Sequence, residues 1–133
     1  MLNSSMIGFM VVGTGAALGA WFRWGLSSFL NPIFPNLPLG TLVANLTGGF
    51  LIGLSFQIIS YFYLSNPMLK LFLLTGFLGS LTTFSTFSLE SFDLLSNKEF
   101  IWMILHASLH LVGSLVMVFF GIFTVNIVKQ HFF

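Results

Sequence analysis

Six hydroxyl side chains lie between Thr82 and Ser91, at Thr82, Thr83, Ser85, Thr86, Ser88 and Ser91, with Phe84 and Phe87 interleaved among them. Hydroxyls donate and accept hydrogen bonds without carrying charge. A phenyl ring is negative on its face and positive at its edge, so rings turned edge-on to a small dehydrated anion can stabilise it. The alternative for these rings, in a chain with 18 phenylalanines, is ordinary packing or contact with lipid. Phe84, Phe87, Ser88 and Ser91 share one helical face. Asn45 is a second candidate: its carboxamide either bonds a neighbouring helix or offers N–H groups to a passing anion. His106, His110 and Ser114 recur at i, i+4 and i+8. Two histidines at that spacing suit a metal pair, but with no carboxylate or thiolate nearby they make a weak site, and a polar stripe facing a water-filled cavity fits better than zinc. Arg23 either snorkels to the headgroups or lines a vestibule that attracts anions. This is the chemistry of ion recognition. No nucleophile–base pair or carboxylate dyad is visible, which argues against an enzyme.

The elements that position these residues must cross a membrane. Of 133 residues, 56% are hydrophobic and 5% charged, with a mean hydropathy of +1.01. A soluble domain carries about 25% charged residues. The net charge of +1 gives no face for nucleic acid, and the absence of cysteine excludes disulfides and thiolate metal sites. The N-terminus lacks a basic region ahead of its apolar run and reads as a retained first span.

No Asp, Glu, Lys or Arg occurs from Met1 to Phe22 or from Trp24 to Leu69. The second run is too long for one helix, and proline divides it. "NPIFPNLP" (Asn31 to Pro38) cannot be helix interior. "SNP" (Ser65 to Pro67) and "SNKE" (Ser96 to Glu99) are further breaks. Four spans remain, about 5–29, 39–63, 68–94 and 100–128, each longer than the ~20 residues that cross a bilayer. The predicted fold is an all-α membrane protein, a single four-helix bundle.

Span 1 carries Gly15, Gly19 and Arg23 at successive four-residue steps, and small residues at that spacing let helix backbones approach. Span 2 puts Thr41, Asn45, Gly48, Ile52 and Ser55 on one stripe. In span 3, Gly76 and Gly79 precede the hydroxyl run, which predicts a broken third helix with hydroxyls bonding the orphaned backbone groups. Carbonyls freed at such a break are a common way to coordinate an alkali cation. Arg23 and Lys98 fall on one side of the membrane, Lys70 and Lys129 on the other. This balance gives no preferred orientation, so either it is chance or the chain inserts both ways and pairs as an antiparallel dimer.

Three stretches together, "GTGAALGAWFRW", "GTLVANLTGGFLIG" and "GFLGSLTTFSTFSLE", resemble the Fluc (CrcB) family of small fluoride channels. The resemblance covers essentially the whole chain, though span 4 matches only generally. It implies a dual-topology antiparallel homodimer in a bacterial inner membrane, with two pores that let fluoride leave the cytoplasm passively. It also implies a structural sodium ion held by the backbone carbonyls of Gly79 and Thr82 from each copy, with Phe84, Phe87 and Asn45 in the pore. The residue pattern adds Thr41, Ser88, His110 and Ser114 to the expected pathway, on a face free of carboxylates. The competing reading is a small multidrug-type proton-coupled exporter. It wants a carboxylate at membrane depth, and span 1 has none, while Glu90, Asp93 and Glu99 gather toward one end of span 3. A non-conducting assembly subunit would leave the hydroxyl-rich stretch unexplained.

Overall fold

A computed structural model describes residues 3–64 and 66–132. Ser65, in the second predicted break, lies outside the described residues. Helix α1 (Ser4–Leu30) starts at Asn3, whose side chain accepts from the Ser5 N–H. A 3₁₀ turn (Asn31–Ile33) holding Pro32 follows. Helix α2 (Leu39–Tyr61) has Pro38 at its N-cap, which offers no capping side chain. Asn31 supplies the cap from a distance, its Oδ1 accepting from the N–H of Gly40 at 2.7 Å and of Thr41 at 3.3 Å.

The third span is composite. Asn66 caps α3 (Pro67–Lys70), which passes into a π-helical stretch (Leu71–Leu78) and then α4 (Gly79–Leu81). Thr82 and Thr83 are extended, with φ/ψ of −81/155° and −149/122°. Helix α5 (Phe84–Ser96) resumes from them and ends with Lys98 in the left-handed region (φ 60°), while Glu99 N–H bonds back to Leu94 O and Lys98 N–H to Leu95 O. Helix α6 (Phe100–Phe132) completes the chain. Four helical runs, Ser4–Ile33, Leu39–Tyr61, Pro67–Ser96 and Phe100–His131, are long and apolar enough to span a membrane, and no strand occurs among the described residues.

Close backbone approach holds the bundle together. Helix α2 lies against α6 through Gly49, Gly53 and Gly121, and α1 lies against the π-helical stretch and α4 through Gly15, Gly19 and Gly76. A Cβ on Gly49 would stand 2.8 Å from Ser114 O, and one on Gly53 would collide with the Val118 carbonyl. In lipid, such contacts replace the hydrophobic drive that water supplies to soluble bundles. The apolar core is correspondingly small: Ala44, Leu78 and Leu81, with Leu26, Leu51, Leu74 and Phe77 packed around them. Most large apolar side chains, such as Phe9, Phe29 and Ile101, face outward.

Gly53→Val should therefore push α2 from α6 and destabilise the fold by roughly 1–3 kcal/mol or more, as overpacking does. Gly13→Ala should be neutral or slightly stabilising, because a Cβ there meets nothing within 4 Å among the described residues. Thermal unfolding of the two variants in detergent checks the contrast.

Candidate functional site

The polar residues converge where the third span leaves helical geometry. In a helix, each carbonyl accepts from the N–H four residues on. Thr83 N–H donates instead to Asn45 Oδ1 at 2.8 Å, and Thr86 N–H to Thr83 Oγ1 at 3.1 Å. The carbonyls of Gly79 and Thr82 thereby lose their helical donors. Ser80 O, next in line, receives Arg23 Nε at 3.0 Å. Thr82 turns both its N–H and its hydroxyl back to Leu78 O, at 3.1 and 2.9 Å. The Ser80 hydroxyl donates to Ala16 O at 2.8 Å, tying the stretch to α1. Arg23 therefore bonds a backbone carbonyl from a half-buried position.

Asn45 is the anchor on α2. Its Nδ2 donates to Thr83 O at 3.1 Å while its Oδ1 accepts from Thr83 N–H, a two-point clamp on one residue. The same Nδ2 lies 2.9 Å from His110 Nδ1. Both hydrogens of the carboxamide thus face acceptors.

The two phenylalanines sit in different surroundings, although their centroids are 5.4 Å apart. Phe87 is 8% exposed and packs on His106 and His110, with centroids 5.3 and 5.0 Å away. Phe84 is 73% exposed. Both line an open cavity of about 400 Å³ that also touches Asn45, Thr83, His110 and Ser114. A second cavity, of about 230 Å³, joins Asn45, Gly79, Thr82 and Ser114. Ser88 is exposed and its hydroxyl donates to Phe84 O at 2.8 Å within its own helix.

One expectation needs correction. Neither the carboxylate-free face nor the pair of histidines without a carboxylate holds in the fold. Packing of α5 on α6 brings Glu90 to His106, with Oε2 3.3 Å from Nε2, and Thr41 Oγ1 donates to Glu90 Oε1 at 2.6 Å. Ligand atoms of Glu90, His106 and His110 all lie within 4.8 Å of one another. Glu90 stands at i+3 from Phe87, so helical periodicity already put it on the side of the aromatic pair and not among the loop acids. Thr41 and His106 are fully buried. Ser91, whose hydroxyl donates to Phe87 O at 2.8 Å, lies 3.1 Å from His106 Nδ1. The backbone of Thr83 as the partner of Asn45 had no signal in sequence, since backbone partners leave no residue pattern.

These features define a four-span helical membrane protein whose uncharged donors gather at one non-helical segment. Residues 10–122 match the profile of the family described as CrcB-like protein, Camphor Resistance (CrcB), and the chain belongs to that family. It is 52% identical over 120 residues to the fluoride-specific ion channel FluC of Nitrosospira multiformis, covering 90% of this chain and 94% of the relative. Identity to the FluC of Aromatoleum aromaticum is 55% over 113 residues, covering 85% of this chain and 86% of the relative. Identity to that of Dechloromonas aromatica is 50% over 125 residues, covering 92% and 90%.

Replacing Asn45 by Ala should leave the Thr83 N–H and C=O unpaired at membrane depth. The expected cost is about 1–3 kcal/mol per orphaned group. A lowered unfolding midpoint in detergent, larger than that of Thr47→Ala on the exposed side of the same helix, checks this.

Proposed function

We propose that the chain forms a fluoride-selective passive channel, assembled as an antiparallel dual-topology homodimer in a bacterial inner membrane. The observation that carries the reading is identity of half or more, over about nine-tenths of the chain, to relatives named as fluoride-specific channels. The chemistry of the site supports it. Fluoride is small and strongly hydrated, so each lost water must be replaced by a donor. Hydroxyls, imidazole N–H groups and phenyl edges supply partial positive charge without a fixed cation on the path that would trap the ion. Phe84, Phe87, Ser88, Ser114 and His110 are the groups assigned to that path, with Asn45 and Thr41 behind them. Arg23 donates to Ser80 O and so satisfies a carbonyl at the edge of the interrupted segment.

In this reading the third helix is functionally broken, and a structural sodium ion sits between the two copies. The residues fit such an ion. Gly79 and Thr82 are the positions whose carbonyls lose their helical donors to side chains, and neutral oxygens suit a hard monovalent cation. Bound there, sodium would supply a positive charge that lowers the cost of a nearby anion. Gly79, Ile52 and Phe84 are exposed around the two open cavities, which leaves a face for the second copy.

Glu90 is the observation that favours the proton-coupled exporter, since it is a carboxylate inside a span. It is already engaged by Thr41 and His106. Family membership favours the channel.

Liposomes carrying the protein should release fluoride rapidly without a proton gradient and retain chloride. Phe84→Ile or Phe87→Ile should slow the release while the assembly persists, because isoleucine keeps bulk but loses the ring quadrupole. Equal efflux of both halides would end the selectivity reading, and strict proton coupling would favour the exporter.

The dimer is tested separately. C-terminal tags should be reached from both sides of the membrane in comparable amounts. Within one chain a Cβ on Gly79 meets only Leu74 O, at 3.5 Å, an ordinary contact. Gly79→Val should therefore leave the single chain folded and disrupt the pairing of two copies, seen as monomer on size-exclusion chromatography. A dimer unaffected by Gly79→Val would place the interface elsewhere.

A further inference from the structure

Backbone geometry at Thr83 fixes the protonation pattern of a buried histidine. Thr83 N–H can only donate and Thr83 C=O can only accept, so the Asn45 atom at 2.8 Å from the former is oxygen and the atom at 3.1 Å from the latter is nitrogen. The carboxamide cannot flip without facing two donors and two acceptors against each other. Its second N–H points at His110 Nδ1, 2.9 Å away. An amide NH₂ does not accept hydrogen bonds. His110 Nδ1 is therefore the acceptor, and the ring proton sits on Nε2. That Nε2–H is buried and has no hydrogen-bond partner among the described residues, on a side chain only 4% exposed. A buried donor left unpaired costs free energy, so its place in the fold calls for an acceptor.

We infer that His110 Nε2–H is the group that hands a hydrogen bond to fluoride, and that Asn45 acts as the positioning residue that holds His110 in this tautomer. The inference rests on the reading of the chain as a fluoride channel. It moves the donor function from the carboxamide, whose hydrogens are committed, to an imidazole that borders the same cavity as Phe84 and Phe87, its Nε2 covered until an ion enters. Its ring lies 5.0 Å from Phe87 and 4.4 Å from His106, centroid to centroid. A Glu90 carboxyl oxygen stands within 4.8 Å of a nitrogen on each histidine and keeps an anion from being held too tightly, as conduction requires. A metal at Glu90, His106 and His110 would need the lone pair of His110 Nε2. That tautomer puts a proton on Nδ1, opposite an amide N–H, and breaks the clamp on Thr83.

Solid-state NMR of ¹⁵N-histidine-labelled protein in liposomes reads the tautomer directly. The expected spectrum has His110 Nδ1 unprotonated and Nε2 protonated, with the Nε2–H proton moving when sodium fluoride is added and staying still with sodium chloride. His110→Phe, which keeps a ring and loses the N–H, should cut fluoride flux roughly ten- to hundred-fold, the scale of one hydrogen bond to a charged group. His110→Gln, with an amide N–H near the Nε2 position, should recover part of that loss. Zinc chloride should leave the His110 signals unchanged. A protonated Nδ1, wild-type flux in His110→Phe, or zinc that shifts Nε2 and blocks flux would each overturn the inference. Absence of fluoride flux in the wild-type protein would instead overturn the channel reading, while the tautomer would still be legible in the spectrum.

Discussion

The pairing of the Asn45 carboxamide with the backbone of Thr83 is the interaction on which the rest of the site depends. A membrane interior offers no water to satisfy a peptide group that leaves its helix. By meeting both the N–H and the C=O of Thr83, one side chain on α2 makes the extended conformation at Thr82 and Thr83 affordable. Everything nearby follows from that substitution of partners. The carbonyls of Gly79 and Thr82 are released, Ser80 O turns to Arg23, and Thr83 Oγ1 is left to cap α5 through Thr86 N–H. The second amide hydrogen of Asn45 then orients His110.

The rigidity this clamp needs comes from glycine-mediated packing on either side. Asn45 lies one turn before Gly49 and two before Gly53, the residues that bring α2 into backbone contact with α6. Gly15 and Gly19 do the same for α1 against the third span, where Ser80 Oγ bonds Ala16 O. Distance between helices is thus set by backbone atoms rather than by flexible side chains. The Asn45–His110 distance, between α2 and α6, inherits that precision. A second polar cluster, Thr41–Glu90–His106–Ser91, continues from the first along the same helices. It carries the one ionisable acid of the site, held by a hydroxyl and an imidazole so that its charge is not left bare in an apolar interior.

Four membrane-capable helices were legible because apolar length and its punctuation are written directly in the chain: Pro32, Pro35 and Pro38 divide one charge-free run, and the polar Ser96–Glu99 stretch separates the third span from the fourth. The hydroxyl run drew attention to residues 82–91 for the same reason, since such polarity is costly in lipid. What sequence did not show is which partners those groups find. The π-helical stretch Leu71–Leu78, which lies against α1, has an ordinary apolar sequence that does not mark it. Glu90 stands one turn from Phe87 in sequence, but its contact with His106 exists only once α5 is laid on α6. Asn45 reads either as a bond to a neighbouring helix or as a donor to an ion, and which backbone group it meets is seen only in the fold. In each case the deciding contact is tertiary, between residues 16 to 65 apart in the chain or with a backbone group that leaves no signature.

The central claim is that Asn45 holds Thr82 and Thr83 out of the helix, and backbone chemical shifts in a bilayer test it most directly. Protein labelled with ¹³C and ¹⁵N at threonine and asparagine, studied by solid-state NMR in liposomes, should give Cα and Cβ shifts of extended backbone at Thr82 and Thr83. It should also give helical shifts at Thr86 and a through-space contact between Thr83 N–H and the Asn45 side chain. Helical shifts at Thr82 and Thr83, with no such contact, would contradict it.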